Sequence, residues 1–492
     1  MSDFKYGKPT SLLPELGIWT TIAIVVGAVV GSGIFKKTAY MSYYTGSPEI
    51  IIIIWIVTGI ITLFGALTNA EISSMIPKTG GQYIYFQKMY GDFIAFLYGW
   101  AIFIVIQTGS IASITYIFSE TANYYLHFPK FPLTIEQGIY LYIPFIGSIY
   151  PLKDFGIKLF TIFIILFLTT VNYFGVKFGG RLSAVFTLAK VLAIIIIVLI
   201  VTLFGTGDFS NFYVDASSST IYKGSILSGI TYGIMAAFWA YDGWNNITYI
   251  GEEVKNSKRT IPIALISGTI IVIIVYLLIN FAYIYVLPVE KMANIYSANR
   301  TSVIAYEVVN IAIGSIGSAL VTIAILLSTF GTSNGTIMVS ARVYFAMSRE
   351  GLFFNSIGKI HNKFRTPANA LILQGVWASL LVISGSFDDL TDMLIFVSFI
   401  FYGLGAYGVF VLRRKMPNAP RPYKVIGYPF IPIIFIVFSF LFVILTLYFD
   451  IENYLKGETK IINSIFGLFL VFLGIPFYIY FKKKRIIEKT DI

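Results

Sequence analysis

The chain has 492 residues, of which 57% are hydrophobic, 17% aromatic and only 12% charged. Soluble domains are roughly 45–50% apolar and about 25% charged. This composition therefore excludes an ordinary soluble protein and indicates one that crosses a membrane several times. The formal net charge of +11 is explained by loop charges and contact with anionic lipid, so nucleic-acid binding is not expected.

Long apolar runs predict the membrane-spanning helices, because crossing the hydrocarbon core takes about 20 apolar residues. Twelve such runs occur, near residues 17–36, 49–75, 92–126, 155–173, 181–205, 222–250, 260–287, 313–341, 368–385, 389–412, 428–449 and 460–481. The polar start of the chain leads directly into the first run, so no cleavable signal peptide is expected. We expect one membrane domain over residues 1–492.

The distribution of basic residues predicts the orientation, because cytoplasmic loops carry an excess of Lys and Arg. An even number of spans places both termini on one side. If that side is cytoplasmic, the inner segments hold 24 of the 35 basic residues and the outer segments hold 10, with Lys190 inside a span. Both termini are therefore predicted to be cytoplasmic.

Several kinds of chemistry are not expected from this sequence. The chain has no cysteine, so a disulfide-linked partner, a thiolate metal site and a cysteine nucleophile are all excluded. Its two histidines, His127 and His361, lie in predicted loops without metal-ligand spacing. Because no nucleophile motif, metal cluster or phosphate loop appears, we expect neither an enzyme nor a cofactor.

The first predicted span is interrupted by the sequence GAVVGSGIF, residues 27–35. Backbone groups in the hydrocarbon must be paired within the protein, so an interrupted helix survives only where it is buried or lines a cavity. The alternative is close helix packing through Gly27 and Gly31, which are four residues apart. Packing alone does not account for Ser32 and Gly33.

The sixth span contains a comparable interruption, WAYDGWNN, at residues 239–246, about 210 residues after the first. The two breaks lie five spans apart, so spans 1–5 (residues 12–205) and spans 6–10 (residues 222–412) have the same layout in opposite orientation. Residues 428–481 then form two peripheral helices. Paired broken helices at corresponding positions are typical of inverted repeats with a binding site near the membrane midplane.

Several motifs resemble those of a known family. They are GSGIF in the first span, YDGWN followed by GEEVKNSKRTIPIAL in the sixth and seventh, STFGTSNGTIMVSARVYFAMSREG in the eighth, and the inner segment PKTGGQYIYFQKMYGD. Over residues 12–425 the chain resembles the amino acid/polyamine/organocation (APC) transporters, in particular the L-type amino acid transporter branch.

This resemblance implies an all-α fold of the LeuT type, which is a five-plus-five inverted repeat with discontinuous helices 1 and 6 and two peripheral helices. It also implies an amino acid transporter of the plasma membrane that works by alternating access. Animal L-type transporters are linked to a single-pass glycoprotein through an outer-loop cysteine. This chain has no cysteine, so we expect it to work without a disulfide-linked subunit.

A broken helix offers free N–H groups at the start of its second half and free carbonyls at the end of its first half. The N–H groups of Ser32, Gly33 and Ile34 are expected to bind the carboxylate of an amino acid zwitterion. The carbonyls around Val29 in the first break, and those of Trp239 and Ala240 in the second, are expected to bind its ammonium. Glycine allows the unwinding and lets a ligand reach the backbone. The predicted substrate-binding residues are Val29, Gly31, Ser32, Gly33, Ile34, Trp239, Ala240, Asp242, Gly243 and Asn334.

Two side chains of the sixth span have specific expected roles. The resemblance implies that Trp239 closes over the substrate as a gate; the alternative is a core tryptophan with a satisfied indole. Asp242 is a carboxylate near mid-membrane, where insertion costs about 2.5–3.5 kcal/mol, so it needs a partner. That partner is the substrate ammonium, the cationic side chain of a dibasic substrate, or a protein group.

Lys190 in the fifth span is about nine residues past Arg181, or roughly 13 Å at about 1.5 Å per residue, too deep for easy snorkelling. The resemblance places its ammonium between the first, fifth and eighth spans, where sodium-coupled relatives hold a cation. Lys190 could be a fixed charge in an exchanger or release a proton in a symporter, since burial disfavours its charged form. The alternative is a structural ion pair.

Four weaker candidates for the pocket wall are Gln107, Ser110, Ser328 and Thr329. The hydroxyls of the last two could also ligate sodium or bond back to their own helix. At the inner end of the sixth span, Glu252 and Glu253 are expected to form a salt-bridge latch with nearby basic residues. The aromatic inner segment after the second span is expected to be an interfacial helix.

The leading prediction is a sodium-independent exchanger of neutral or dibasic L-amino acids, and Asp242 does not choose between them. A proton-coupled symporter that uses Lys190 is the first alternative. A channel or membrane-embedded sensor is an alternative from another class. The sequence does not choose the substrate among amino acids.

Overall fold

The structure is a computed structural model that describes residues 12–143, 147–213, 224–299, 302–384, 387–457, 459 and 462–490. These residues form nineteen α-helices: α1 Ile18–Val29, α2 Gly33–Thr45, α3 Pro48–Met75, α4 Gln82–Tyr90, α5 Asp92–Ala101, α6 Gln107–Leu126, α7 Leu133–Gly138, α8 Phe155–Tyr173, α9 Val176–Phe204, α10 Ile226–Tyr241, α11 Ser257–Val286, α12 Val289–Ala298, α13 Ile304–Ile313, α14 Ser315–Arg349, α15 Ala368–Ser384, α16 Phe387–Lys415, α17 Phe430–Leu455, α18 Asn463–Phe472 and α19 Gly474–Thr490. A π-helical turn, Ile102–Ile106, joins α5 to α6, and strands β1 (Leu141–Ile143) and β2 (Gly147–Ile149) form a short antiparallel hairpin.

The apolar helices match the predicted spans. In the described residues, ten helical segments are long and apolar enough to cross a membrane. The shorter apolar helices α10 and α15 occupy the predicted sixth and ninth spans. We call "inner" the side that holds α4 and the C-terminal end of α16, and "outer" the opposite side.

The first span is broken where the sequence predicts it. Helix α1 ends at Val29 and α2 begins at Gly33, with three non-helical residues between them. In the sixth span α10 ends at Tyr241, and the chain continues through short 3₁₀ turns, Asn246–Tyr249 and Gly251–Glu253.

The two breaks approach each other closely. Gly243 has φ +97°, a conformation that strains residues with a side chain. A Cβ atom at Gly243 would lie 3.0 Å from the carbonyl oxygen of Ala28. A side chain at this position would therefore have to push the two breaks apart.

Helix packing repeats with a displacement of five spans. Spans 1 and 6 touch through α2 and α10, spans 2 and 7 through α3 and α11, spans 3 and 8 through α6 and α14, and spans 4 and 9 through α8 and α15. The contact of α1 with α11 has its counterpart in that of α10 with α3, and the contact of α9 with α14 in that of α16 with α6. This is the LeuT-type arrangement expected from the sequence; the exact repeat boundaries stay a prediction.

The inner segment after α3 differs from its expected form. Helix α4 forms there, but Tyr83, Tyr85 and Phe86 are almost fully buried, and α4 packs against α5, α14 and α16. The prediction of an interfacial helix is therefore wrong. An alternation of aromatic and polar residues suits a membrane surface and a protein interior equally well, so the sequence pattern could not separate the two.

Candidate substrate site at the two helix breaks

The two breaks enclose a small central cavity of about 20 Å³. Its lining residues are Ala28, Val29, Gly31, Gly33, Ser110, Ile114, Trp239, Ala240, Asp242, Gly243, Asn246, Thr332 and Thr336. A water molecule needs about 10–15 Å³ in this measure. The central cavity is thus contracted, and the surrounding helices must separate before a larger ligand enters.

Free N–H groups lie at the start of α2. In the described part of the chain, the backbone N–H groups of Gly31, Ser32, Gly33 and Ile34 donate no hydrogen bond. The N-terminus of a helix also carries a partial positive charge. Gly31 and Gly33 line the central cavity, so this end of it can bind a carboxylate.

The carbonyl oxygens opposite are partly occupied. The Tyr276 hydroxyl oxygen lies 2.9 Å from the carbonyl oxygen of Val29 and 2.8 Å from that of Ala240. A tyrosine hydroxyl carries one hydrogen and can donate to only one of them at a time. The third expected acceptor, the carbonyl of Trp239, accepts from the Asp242 N–H at 3.3 Å. Tyr276 therefore shares two positions that the sequence analysis assigned to a ligand ammonium.

Lys190 belongs to α9 and is fully buried. Its side chain reaches the C-terminal end of α1. Its ammonium donates to the carbonyl oxygens of Gly27 at 2.7 Å and Val30 at 2.6 Å, and to the hydroxyl of Thr332 at 2.7 Å. These contacts use all three N–H groups of the ammonium. The charge also offsets the negative end of the α1 dipole. The structure thus places Lys190 between the first, fifth and eighth spans, as the resemblance implies.

Two polar residues of the eighth span support the first break. The Ser328 hydroxyl lies 3.0 Å from the carbonyl oxygen of Val30 and 3.1 Å from that of Gly31. One helical turn later, Thr332 contacts Lys190 and lines the central cavity. Thr332 is not among the predicted site residues, although its i, i+4 spacing from Ser328 places it on the same helix face.

Two other predicted residues are not brought to the central cavity. The Thr329 hydroxyl donates to the carbonyl of Ile325 in its own helix at 2.7 Å. The Asn334 amide donates to the Ser183 hydroxyl at 3.0 Å and accepts from Asn172 at 2.8 Å. Both residues lie on faces of α14 other than the one that Ser328 and Thr332 share, so their side chains do not reach the central cavity.

Asp242 lines the central cavity and accepts a hydrogen bond from the Tyr402 hydroxyl at 2.6 Å. Tyr402 belongs to α16 and is a neutral partner, so it does not offset the charge of a carboxylate. Of the three partners predicted for Asp242, the structure therefore contains the third, a protein group. Asp242 also lines, together with Tyr402, a second cavity of about 10 Å³, so a cationic group in either cavity would lie near it.

The third span contributes through Ser110 and Gln107. Ser110 lines the central cavity. The Gln107 amide donates to the side-chain oxygen of Asn246 at 2.9 Å, and Asn246 lines the cavity. Gln107 therefore orients a lining residue that the sequence analysis did not single out. Ile34 is fully buried and is not among the lining side chains.

The inner side of the central cavity is closed by a buried ion pair. Glu253 receives hydrogen bonds from Arg342 Nε at 2.8 Å and Nη2 at 3.0 Å, and both side chains are only 1% exposed. The backbone carbonyl of Glu253 accepts from the N–H groups of Glu15 and Leu16. The expected latch therefore exists, but the prediction of nearby basic partners is wrong for Glu253, which pairs with a residue of α14.

The outer side has a larger opening, which we call the outer vestibule. It is a cavity of about 430 Å³ whose lining includes Ser32, Lys36, Glu120 and Tyr306. Trp239 lines the central cavity, and its ring centroid lies 5.3 Å from the Lys37 ammonium on the outer half of the first span. With the inner side sealed and a vestibule outside, the conformation is outward-facing with a contracted central cavity.

Comparison with known proteins now identifies the family. The model of the amino acid permease family matches residues 16–472. The chain belongs to the amino acid permease family. The chain is 30% identical to a serine/threonine exchanger of Bacillus subtilis over 97% of its own length and 99% of that protein's.

Two mammalian relatives agree with this assignment. The mouse b(0,+)-type amino acid transporter 1 is 33% identical over 89% of this chain and 83% of its own length. The rabbit large neutral amino acids transporter small subunit 2 is 30% identical over 96% of this chain and 81% of its own. The resemblance to the L-type branch is thereby confirmed, and this permease is a multi-pass amino acid transporter.

Proposed function

We propose that this permease is a sodium-independent exchanger of neutral and dibasic amino acids that works by alternating access. The observation that carries the proposal is the row of free N–H groups at the start of α2, opposite carbonyl oxygens across one small cavity. Donors at one pole and acceptors at the other match the carboxylate and ammonium of a zwitterion.

The contacts of Lys190 support sodium independence. A bound sodium ion would need several oxygen ligands, and at the first break these would be the oxygens of Gly27, Val30 and Thr332. The Lys190 ammonium already bonds to all three. A permanent positive charge at this place performs the structural task of a bound cation, so no ion needs to be cotransported.

Exchange as the mode of transport is supported by the Bacillus subtilis relative, whose name describes a serine/threonine exchanger. The contracted central cavity fits this mode. At about 20 Å³, the cavity has room for little more than one water molecule. A bound amino acid would complete the hydrogen bonds at the breaks and so stabilise the conformations between the outward-facing and inward-facing states. Loaded carriers then reorient faster than empty ones.

The second candidate is a proton-coupled symporter, favoured by the complete burial of Lys190. Loss of its proton would leave a neutral amine with two N–H donors facing three acceptor oxygens. One acceptor oxygen at the first break would then lack a hydrogen-bond donor. The protonation state of Lys190 would thereby influence the conformation of the break.

The binding roles of the named residues belong to this proposal. Gly31, Gly33 and the N–H groups of Ser32 and Ile34 would hold the substrate carboxylate, and the carbonyls of Val29 and Ala240 its ammonium. Trp239 would act as the outer gate. Asp242 would bind a cationic side chain or share the ammonium.

Orientation and partners are proposed from charge and composition. Basic residues such as Arg413, Arg414 and Lys415 lie on the inner side, so the positive-inside rule makes that side cytoplasmic. The protein would then reside in the plasma membrane with both termini in the cytoplasm. Without cysteine, it would work without a disulfide-linked subunit.

Counterflow in proteoliposomes tests the proposal. Purified protein is reconstituted into sodium-free vesicles that are either empty or preloaded with unlabelled L-serine or L-arginine. We expect preloading to accelerate uptake of the same labelled amino acid, with no effect of added sodium. Uptake that ignores internal amino acid but follows a pH gradient would establish the symporter instead, and uptake that never saturates would indicate a channel.

A further inference from the structure

An exposed apolar segment lies on the outer side of the protein, between the spans that α6 and α8 form. It includes the short helix α7 and strand β1. Six of its apolar side chains are 40–70% exposed, and we call them the outer apolar surface: Leu133, Ile135, Ile139, Tyr140, Leu141 and Tyr142. We propose that the outer apolar surface inserts into the outer leaflet of the bilayer, at the level where lipid headgroups meet the acyl chains. This inference goes beyond the transport function and does not depend on the substrate.

The start of α8 fixes the depth of this segment. Helix α8 has 19 residues, so at about 1.5 Å per residue it is only roughly as long as the hydrocarbon core of about 30 Å is thick. Phe155, its first residue, therefore lies at the outer boundary of the core. The Phe131 ring packs against the Phe155 ring with centroids 5.0 Å apart, and the Pro129 carbonyl accepts from the Gly156 N–H at 3.1 Å. The segment thus begins at the level of the interface and not above it in water.

The lipid-facing side of α8 continues up to this segment. Leu159 and Phe163 are exposed on a helix that crosses the membrane, so their side chains face lipid. The Phe160 ring lies 6.1 Å from that of Phe163 and 4.7 Å from that of Phe128, which precedes α7. The outer apolar surface is therefore adjacent to a protein surface that already contacts lipid.

Charge is directed away from the outer apolar surface. Residues 131–142 contain one charged side chain, Glu136, and it is only 7% exposed. A loop in water is expected to show the reverse, with its charge outside and its large apolar side chains inside. Tyrosine, with an apolar ring and a polar hydroxyl, is enriched at membrane–water interfaces, and both Tyr140 and Tyr142 are exposed. The exposed side chains therefore suit a lipid interface better than water.

The exposure of β1 favours lipid over a protein partner. Successive residues of a strand point to opposite faces, and Leu141 and Tyr142 are both exposed. Neither face of β1 is therefore covered at these positions by the described part of the chain. A two-stranded hairpin alone is at best marginally stable in water. A docked protein would cover one face, whereas the membrane interface can surround both.

Fluorescence quenching tests this inference, and the absence of native cysteine allows labelling at one site. Leu141→Cys in the full-length protein is labelled with the environment-sensitive fluorophore NBD and reconstituted into lipid nanodiscs. Quenching is measured with a lipid that carries a nitroxide on its upper acyl chain, and with iodide in the buffer. Leu166→Cys on the lipid-facing side of α8 is the lipid control. Asn294→Cys, at an exposed polar position of α12, is the water control.

We expect NBD in Leu141→Cys to emit at a shorter wavelength than in Asn294→Cys. It should be quenched several-fold more by the nitroxide lipid and several-fold less by iodide. Adding Ile135→Asp and Ile139→Asp should bring both values close to those of Asn294→Cys, because charged side chains favour water. Leu133→Cys on α7 provides a second label position, and gel filtration and counterflow check that each labelled variant is folded.

Three results would overturn the insertion. Quenching in Leu141→Cys and Leu133→Cys equal to that in Asn294→Cys would place the segment in water. Protection from both quenchers would show that protein, such as a second copy of this chain, covers it. Lipid quenching that survives the two aspartates would show that the outer apolar surface does not hold the segment in the membrane. Counterflow is measured separately, so each of these results leaves the proposed function intact.

Discussion

The ammonium nitrogen of Lys190 lies 2.6 Å from the carbonyl oxygen of Val30, the first residue after α1 ends. A positive charge is thereby fixed where a broken helix exposes its negative end. It neutralises carbonyl groups that no lipid could solvate. The break is consequently a stable feature of the fold, and its free N–H groups remain open toward the central cavity.

Removing this charge should strongly reduce transport. Lys190→Met leaves the carbonyl of Gly27 with the Thr332 hydroxyl as its remaining side-chain donor, and that of Val30 with the hydroxyls of Thr332 and Ser328. We expect a stability loss of about 1–3 kcal/mol. Counterflow should fall by about tenfold or more, since about 1.4 kcal/mol corresponds to tenfold.

Lys158→Met is the matched control for Lys190→Met. Lys158 also donates to three carbonyls, those of Tyr150, Pro151 and Ile383, but on the outer side away from the breaks. It should lower the thermal unfolding temperature while the folded fraction still exchanges amino acids. Equal counterflow in the two variants would show that the place of the Lys190 charge does not matter.

Thr332 and Thr329 form a pair of threonines on one helix with different surroundings. Thr332→Val removes one acceptor of the buried Lys190 ammonium, and we expect counterflow to drop by about tenfold for a penalty of roughly 1–3 kcal/mol. Thr329→Val removes only a bond to its own helix and should keep near-normal counterflow. A greater loss in Thr329→Val would contradict the helix orientation described here.

Gly33 should tolerate no side chain. A Cβ atom there would lie 2.8 Å from Trp239 Cζ3 and 2.9 Å from Ala240 Cβ, so Gly33→Ala forces α2 and α10 apart. Overpacking of this kind costs about 1–3 kcal/mol, and counterflow should fall accordingly. Gly109→Ala is the control, because its nearest neighbour would be 4.0 Å away. Normal counterflow in Gly33→Ala would show that the contracted state is not visited during transport.

Asp242 should distinguish between substrates. Asp242→Asn keeps an oxygen that can accept the Tyr402 hydrogen bond but removes the negative charge of a residue that lines the central cavity. We expect uptake of labelled L-arginine to be lost and uptake of labelled L-serine to persist. Tyr402→Phe, which keeps the carboxylate, should retain arginine uptake. Equal loss of both substrates in Asp242→Asn would instead assign Asp242 to the shared ammonium.

The sequence predicted those parts of the site that are recognisable from a short stretch of residues alone. Glycines beside Ser32 and a lysine deep in an apolar span are unusual in hydrocarbon whatever surrounds them, so the first break and Lys190 could be found without coordinates. Tyr276 could not be found this way, because a tyrosine within a regular apolar span looks like many others.

The predictions for Thr329 and Asn334 on α14 were wrong for a related reason. Choosing Thr332 over Thr329, and excluding Asn334, requires the rotation of α14 relative to the first break, which depends on packing with α6, α8 and α9. The partner of Glu253 likewise lies in a helix far along the chain. For Thr329 and Asn334 the motif resemblance gave the correct helix but not the correct face, and for Glu253 the sequence pointed to the wrong partner.

The Glu253–Arg342 pair should hold the inner side closed. Removing one partner leaves a buried charge unpaired, which costs about 3–5 kcal/mol, whereas replacing both with apolar residues is often neutral. Glu253→Met alone should therefore destabilise the closed inner side, and the double variant Glu253→Met, Arg342→Met should restore the thermal unfolding temperature.

The lack of native cysteine makes the accompanying conformational change measurable. Ser110→Cys places one thiol in the central cavity wall, and a membrane-impermeant thiol reagent is added to one face of the membrane at a time. With Glu253→Met, labelling from the inner face should become faster and labelling from the outer face slower, because the inward-open state gains population. The double variant should return both rates toward those of Ser110→Cys alone, since it removes the unpaired charge that drives opening. Unchanged rates in Glu253→Met would show that the ion pair stabilises the fold in both states and does not control access.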